Sequence, residues 1–154
     1  MPVARLERIV NAPHAYVWDW LADFGALDKL HPPGNLVEFS CEGNTIGARR
    51  FARFKPELGV DGQIIERLDV AVAPQVIVYS IVENYPLPMR DYVAVVHLAS
   101  VDAGHTKVVW EGHYTEHGLP PAEVDGMLKN FYELFLGNIE KAHALGRKVG
   151  ESPY

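Results

Sequence analysis

The sequence predicts an α+β fold: a curved seven-stranded antiparallel sheet wrapped around one long C-terminal helix, with two short helices after the first strand. Three observations lead there. Val- and Ile-rich runs between Gln63 and Glu116 are separated by connections of turn length, which makes neighbouring strands antiparallel. After Pro120-Pro121, the residues Val124, Met127, Leu128, Phe131, Leu134, Phe135, Ile139 and Ala142 recur at helical spacing. Between them, the stretch Tyr79 to Tyr92 sets Pro86 and Pro88 into a loop flanked by Tyr79, Glu83, Tyr85, Arg90 and Tyr92. A plain hairpin needs only Gly or Asn at its turn. Prolines, tyrosines and charges at that position suit the rim of a pocket.

In chain order, Val3 to Val10 reads as the first strand, with Val3, Arg5, Glu7 and Ile9 on one face and Ala4, Leu6, Arg8 and Val10 on the other. Asn11 and Pro13 suit a helix start. Tyr16, Val17, Trp18, Trp20, Leu21 and Phe24 then form an apolar stripe that Gly25 ends. Ala26 to Leu30 makes one more short turn before His31-Pro-Pro-Gly34 breaks it. Strands are predicted over Leu36–Cys41, Ile46–Phe54, Gln63–Leu68, Gln75–Glu83, Arg90–Val101 and His105–Glu116, with a tight turn at Asp102-Ala-Gly104. The last helix is predicted over Pro121–Leu145, a rod of roughly 38 Å at 1.5 Å per residue.

A chain of 154 residues with 48% hydrophobic content is large enough to bury a core as one domain. The net charge of -6, without any basic run, leaves nucleic-acid binding no electrostatic footprint. No stretch is long and apolar enough for a membrane span, and no signal-peptide segment is seen at the N-terminus. Cys41 is the only cysteine, so an internal disulfide is excluded and a cytoplasmic setting is expected. His113-Tyr-Thr-Glu-His117 invites a metal reading. On an extended strand, however, positions four apart lie about 13 Å from each other, so no metal and no cofactor are expected. Gly43-Asn-Thr-Ile-Gly47 lacks the lysine and helix of a phosphate loop.

Alternation assigns the inner faces. Arg50 shares its row with Ala48, Ala52 and Phe54; Glu66 with Ile64 and Leu68; Tyr79 with Ile77, Ile81 and Glu83; Tyr92 with Ala94, Val96 and Leu98; Trp110 with Val108, Gly112 and Tyr114. Two apolar rows thus carry one inward charge each. A buried unpaired charge costs several kcal/mol, so Arg50 and Glu66 are expected to pair, with tyrosine hydroxyls nearby. Such a pair either meets a ligand or only fixes strand register.

The ordered series Ala12-Pro13, Val17-Trp18, Ala22-Asp23-Phe24, Leu27-Asp-Lys-Leu-His-Pro32, Gly47-Ala-Arg-Arg50, Glu66-Arg-Leu68, Tyr79-Ser-Ile, Pro86-Leu-Pro88, Asp91-Tyr92 and Val109-Trp110 resembles the START-like, or SRPBCC, superfamily. Within it the chain is most similar to the polyketide cyclase/dehydrase-like branch. The resemblance implies a helix-grip fold and a single ligand-binding domain over residues 1–154. It also implies a cavity for a small hydrophobic ligand between sheet and C-terminal helix. Arg50, Glu66, Tyr79 and Tyr92 resemble the arginine, glutamate and tyrosines that line the cavity of lachrymatory-factor-synthase-type enzymes.

Two functions are expected from these readings. One is a carrier or binding protein for a partly hydrophobic molecule, with Arg50 anchoring an anionic or carbonyl group. The other is a cofactor-independent cyclase, dehydratase or isomerase using Arg50, Glu66 and Tyr92 for proton transfer and oxyanion stabilisation. The remaining candidate lining is Trp18, Tyr79, Ile81, Glu83, Pro88, Arg90, Trp110, Leu128, Phe131 and Phe135. The protein is expected as a monomer or homodimer.

Overall fold

The computed structural model describes residues 1–83 and 85–154. Val3–Val10 forms β1, and Pro13 starts α1 over His14–Ala22. A single 3-10 turn follows at Leu27–Leu30. The strands β2 (Leu36–Cys41), β3 (Arg49–Phe54), β4 (Gln63–Val72), β5 (Val76–Ile81), β6 (Met89–Asp102) and β7 (His105–Glu116) come next, and α2 closes the chain over Pro121–Ala144. The strand order is β1-β7-β6-β5-β4-β3-β2, and every neighbouring pair is antiparallel. This is a curved seven-stranded sheet around a long C-terminal helix, with two short helices after β1.

Four boundaries differ from expectation by more than one residue. Ile46 to Ala48 was expected in a strand but forms a turn, with Ala48 N–H donating to Thr45 O and Gly47 at φ +91°. Gly47 can adopt that backbone and β-branched residues cannot. β4 runs on to Val72, past a register shift between Leu68 and Val70. β5 stops at Ile81, before Glu83, whose own φ is +53°. α1 ends at Ala22 rather than Phe24, with Asp23 N–H donating to Asp19 O.

One face of the sheet is buried under the helices. Ala4 and Val10 of β1, Ile77 and Tyr79 of β5, Tyr92, Ala94, Val96 and Leu98 of β6, and Val108, Trp110 and Tyr114 of β7 all point there. α2 answers with Val124, Leu128, Tyr132, Phe135, Leu136, Ile139 and Ala142, a stripe at intervals of three and four. Burying such a stripe, at roughly 25 cal/mol per Å² of apolar surface, is the main force that docks the helix.

Directional bonds then fix where α2 lies. Near its start, the Tyr114 hydroxyl meets Asp125 Oδ1 at 2.7 Å and Pro121 O at 3.1 Å. In its second half, Arg8 of β1 pairs with Glu133 at 2.9 Å and Glu140 at 3.1 Å, and Asn11 N–H donates to Glu140. Asn138, buried on the same helix, donates from Nδ2 to Leu30 O at 2.7 Å. This last bond sets the 3-10 turn, and His31 directly after it, against α2.

Candidate functional site

A cleft of about 80 Å³ lies between the inner faces of β3 to β6 and the middle of α2. Its walls are mostly apolar: Phe54, Ile64, Ile81, Met89, Leu128 and Phe135 are buried there. Leu27, Leu87, Met127 and Phe131 are only half-buried and form its rim. Arg50, Glu66, Tyr79, Tyr92, Tyr132 and His31 bring polar atoms to it. A smaller void of about 20 Å³ shares Leu27, Arg50 and Tyr79 with the cleft and is otherwise lined by α1 residues, Phe24 and Trp110, among others.

Strand pairing creates the ion pair. Arg50 and Glu66 stand directly opposite each other in β3 and β4, where side chains on one face meet. Arg50 Nε donates to Glu66 Oε1 at 2.8 Å, with side-chain exposures of 6% and 14%. The second Arg50 branch donates from Nη1 to Phe24 O at 3.3 Å, and the guanidinium lies 3.9 Å from the Phe24 ring centroid and 5.0 Å from that of Tyr79. Arg50 was expected to anchor an anionic or carbonyl group; here its charge is already matched by Glu66. Among the described residues, Glu66 Oε2 accepts no hydrogen bond.

The tyrosines occupy space left by small residues. The register aligns Ala4, Gly112, Ala94 and Tyr79 across β1, β7, β6 and β5. Over the small members of this row, the Tyr92 and Tyr132 hydroxyls meet at 2.5 Å. Tyr132 stacks on Trp110 with centroids 4.7 Å apart and planes at 11°. A methyl group at Gly112 would overlap the Tyr132 hydroxyl and come within 2.8 Å of Tyr92 Cε2. Gly112→Ala is therefore expected to separate the two hydroxyls and to cost about 1–3 kcal/mol by overpacking. Urea unfolding reads the stability. An unchanged midpoint, together with unchanged Tyr92 and Tyr132 ring resonances, would remove the glycine from the account.

Burial sets the protonation of these groups. Tyr79 is pushed well above the ordinary phenol value by burial and then by the Glu66 charge. Tyr92 is raised by burial and by Tyr79 and Tyr132; Tyr132 by burial and Tyr79. All three hydroxyls keep their protons at neutral pH and act as uncharged donors and acceptors. His31, only 5% exposed, has its imidazole lowered to about 4 by burial and by the Arg50 charge. It is neutral near pH 7.

Arg50, Glu66, Tyr79, Tyr92, Ile81, Leu128, Phe131 and Phe135 all reach the cleft, Phe131 at its rim. Five other candidates do not. Trp18 is buried in the core and borders neither space, while Trp20 of the same helix reaches the smaller void. Trp110 also faces that void rather than the cleft. Glu83 lies beyond the end of β5, exposed, within 3.7 Å of Arg49. Arg90 was expected among the lining residues. One extra residue in β6 between Arg90 and Val93, with Asp91 at φ +53°, breaks the alternation and turns Met89 inward instead. Arg90 stays outside the cleft, over the Tyr85 ring with Nη1 donating to Leu87 O and Met89 O. Pro88 is flanked by the two residues that do line the cleft, Leu87 and Met89.

Tyr132, Met89 and His31, with Leu27, Leu87 and Met127 of the rim, are lining residues that sequence reasoning missed or set aside. Tyr132 had a usable signal, since it lies four residues from both Leu128 and Leu136. Tyr85 supports the site from the loop: its hydroxyl donates to Ile81 O at 2.7 Å and accepts from Tyr92 N–H at 3.1 Å. Among the described residues, no group of three or more His, Cys, Asp or Glu side chains is placed to hold a metal, and no helix is long and apolar enough to cross a membrane.

Residues 1–144 match the family described as polyketide cyclase / dehydrase and lipid transport. Among solved structures, the chain is similar to XoxI from Bacillus cereus, at 20% identity over 92% of this chain and 95% of that one, with a TM-score of 0.74. It is similar to the ZhuI aromatase/cyclase from Streptomyces sp. R1128, at 21% identity over 94% and 98%, with a TM-score of 0.67. A point mutant of norcoclaurine synthase from Thalictrum flavum aligns at 14% identity over 88% and 94%, with a TM-score of 0.63. No curated protein matches the sequence. At these identities the likeness establishes the helix-grip fold.

Proposed function

The chain belongs to the polyketide cyclase / dehydrase and lipid transport family, and from that premise we propose that it binds a small, partly hydrophobic molecule in the cleft between sheet and α2, as a single ligand-binding domain. The family and the fold support a ligand-binding or cyclase-like role. One observation carries the finer reading: a half-open apolar cleft in which the Arg50–Glu66 ion pair, the only one there among the described residues, is internally compensated beside three neutral tyrosines. A site with no net charge favours a neutral polar group over a carboxylate. Glu66 Oε2 suits a ligand hydroxyl as its acceptor, and the tyrosine hydroxyls suit a hydroxyl or carbonyl oxygen. The aromatic and aliphatic walls suit a flat apolar body.

Nuclear magnetic resonance titration with 2-naphthol and naphthalene tests this. 2-Naphthol is expected to shift backbone signals of Met127 to Phe135 and of β5 and β6, and to bind about tenfold more tightly than naphthalene. Glu66→Gln is expected to narrow that ratio. Equal affinities, or shifts confined to other surfaces, would overturn the reading.

A second reading is a cofactor-independent cyclase or dehydratase. The presence of Glu66 and the Tyr92–Tyr132 hydroxyl pair in one cleft favours it. A carboxylate there suits proton removal next to a carbonyl, and protonated tyrosines suit the enolate oxygen that results.

A further inference from the structure

The cleft wall carries one further polar group at the level of Phe54, four residues along β3 from Arg50. His31 lines the cleft together with Phe54, Phe131 and Phe135, whose rings surround the imidazole edge-on at centroid distances of 5.4, 6.2 and 5.0 Å. The backbone that carries the side chain is held there by two hydrogen bonds. Asn138 Nδ2 donates to Leu30 O, and His31 N–H donates to Asp28 O. Yet its buried Nδ1 has no hydrogen-bond partner among the described residues. A buried polar atom without a partner costs about 1–3 kcal/mol. A core position ringed by three phenylalanines would be filled more favourably by leucine or another phenylalanine.

We propose that His31 is a second hydrogen-bonding contact for the ligand, so that the cleft takes a flat apolar compound with a hydroxyl at each end. One hydroxyl meets Glu66 and the tyrosines, and the other meets the neutral imidazole. This rests on the ligand-binding reading above and adds the ligand's second polar group. A neutral imidazole offers one donor and one acceptor, which a hydroxyl can complement. The Arg50 charge and the aromatic shell both oppose protonation, so the contact is a neutral one.

The experiment compares 2,6-dihydroxynaphthalene with 2-naphthol on the full chain. The diol is expected to bind about tenfold more tightly, the size of one net hydrogen bond. With protein labelled at the histidine ring nitrogens, the diol is expected to move the His31 resonances well beyond any shift caused by 2-naphthol. In His31→Leu the two compounds are expected to bind alike, and His31→Gln is expected to restore part of the difference. A diol that binds no tighter than 2-naphthol in the parent overturns the proposal, as does an advantage that survives in His31→Leu. Should the leucine variant fail to fold, the nitrogen shifts of the parent decide: diol binding that leaves them unmoved is also fatal. Failure of 2-naphthol itself to occupy the cleft would instead overturn the ligand-binding reading, so the two failures are distinct.

Discussion

Replacing Glu66 with alanine is expected to lower the unfolding free energy by about 3–5 kcal/mol, because it strands a buried cation. Arg50 is 6% exposed, and its contacts are Glu66, one carbonyl oxygen and the faces of Phe24 and Tyr79. The carbonyl and the rings are dipoles and quadrupoles that attract the guanidinium without neutralising it. With the carboxylate gone, the charge must stay unpaired or pull β3 toward water. The double variant Arg50→Met, Glu66→Leu is expected to cost far less than Glu66→Ala, since apolar replacement of a whole buried pair is often near neutral. Urea unfolding of the parent and both variants provides the test. A loss below about 1 kcal/mol in Glu66→Ala would mean that water reaches the guanidinium and that the pair is not the organising centre of the cleft.

Acidification from pH 6.5 to pH 4 is expected to destabilise the protein by on the order of 3 kcal/mol through His31 alone, since each pH unit between the folded and unfolded titration points is worth about 1.4 kcal/mol. The unfolded imidazole titrates near 6.5 and the folded one near 4. Between those values the unfolded chain binds the extra proton, so stability falls as pH falls and the loss is complete below the folded value. Arg50 from β3 is the charge facing the imidazole; Phe54 of β3 and Phe131 and Phe135 of α2 supply the rest of its surroundings. The exposed carboxylates Glu7, Glu42 and Asp102 are lowered by their basic or backbone partners, so their contribution is lost as pH falls from the ordinary carboxylate value down through the folded one. The slope of stability against pH in His31→Leu is therefore expected to be flatter than in the parent above pH 4.5. Identical slopes would show that protonated His31 is accommodated in the folded state.

The inner rows of β3, β5, β6 and β7 could be read from alternation, because a sheet with one buried face tolerates no slip of register. The same logic put Arg50 and Glu66 on one face, and the structure sets them opposite each other. Alternation failed where the backbone left the extended region. Glu83 and Asp91 both sit at φ +53°, and neither is a glycine, so composition gave no warning. The rows lose phase at Glu83 and on the N-terminal side of Asp91, which is why Glu83 and Arg90 were placed inside and Met89 was not. The row Ala4, Gly112, Ala94 and Tyr79 joins residues from four strands distant in sequence. No local pattern contains it, and so the space for the Tyr92–Tyr132 pair was hidden. His31 was hidden differently: before two prolines it resembles a turn residue, and only its bond-fixed position against α2 makes it part of the cleft wall.

The attachment of α2 at both ends bears on how a molecule would get in. Tyr114 holds the first turns, and Arg8, Asn11 and the Asn138–Leu30 bond hold the second half, so the helix spans the cleft like a beam clamped at either support. Swinging it aside would break several of these bonds at once. Passage is left to the half-buried rim of Leu27, Leu87, Met127 and Phe131, whose side chains can change rotamer with every backbone hydrogen bond intact. Entry and exit would then proceed through a doorway of side chains, at rates set by Met127 and Phe131 rather than by any movement of the frame.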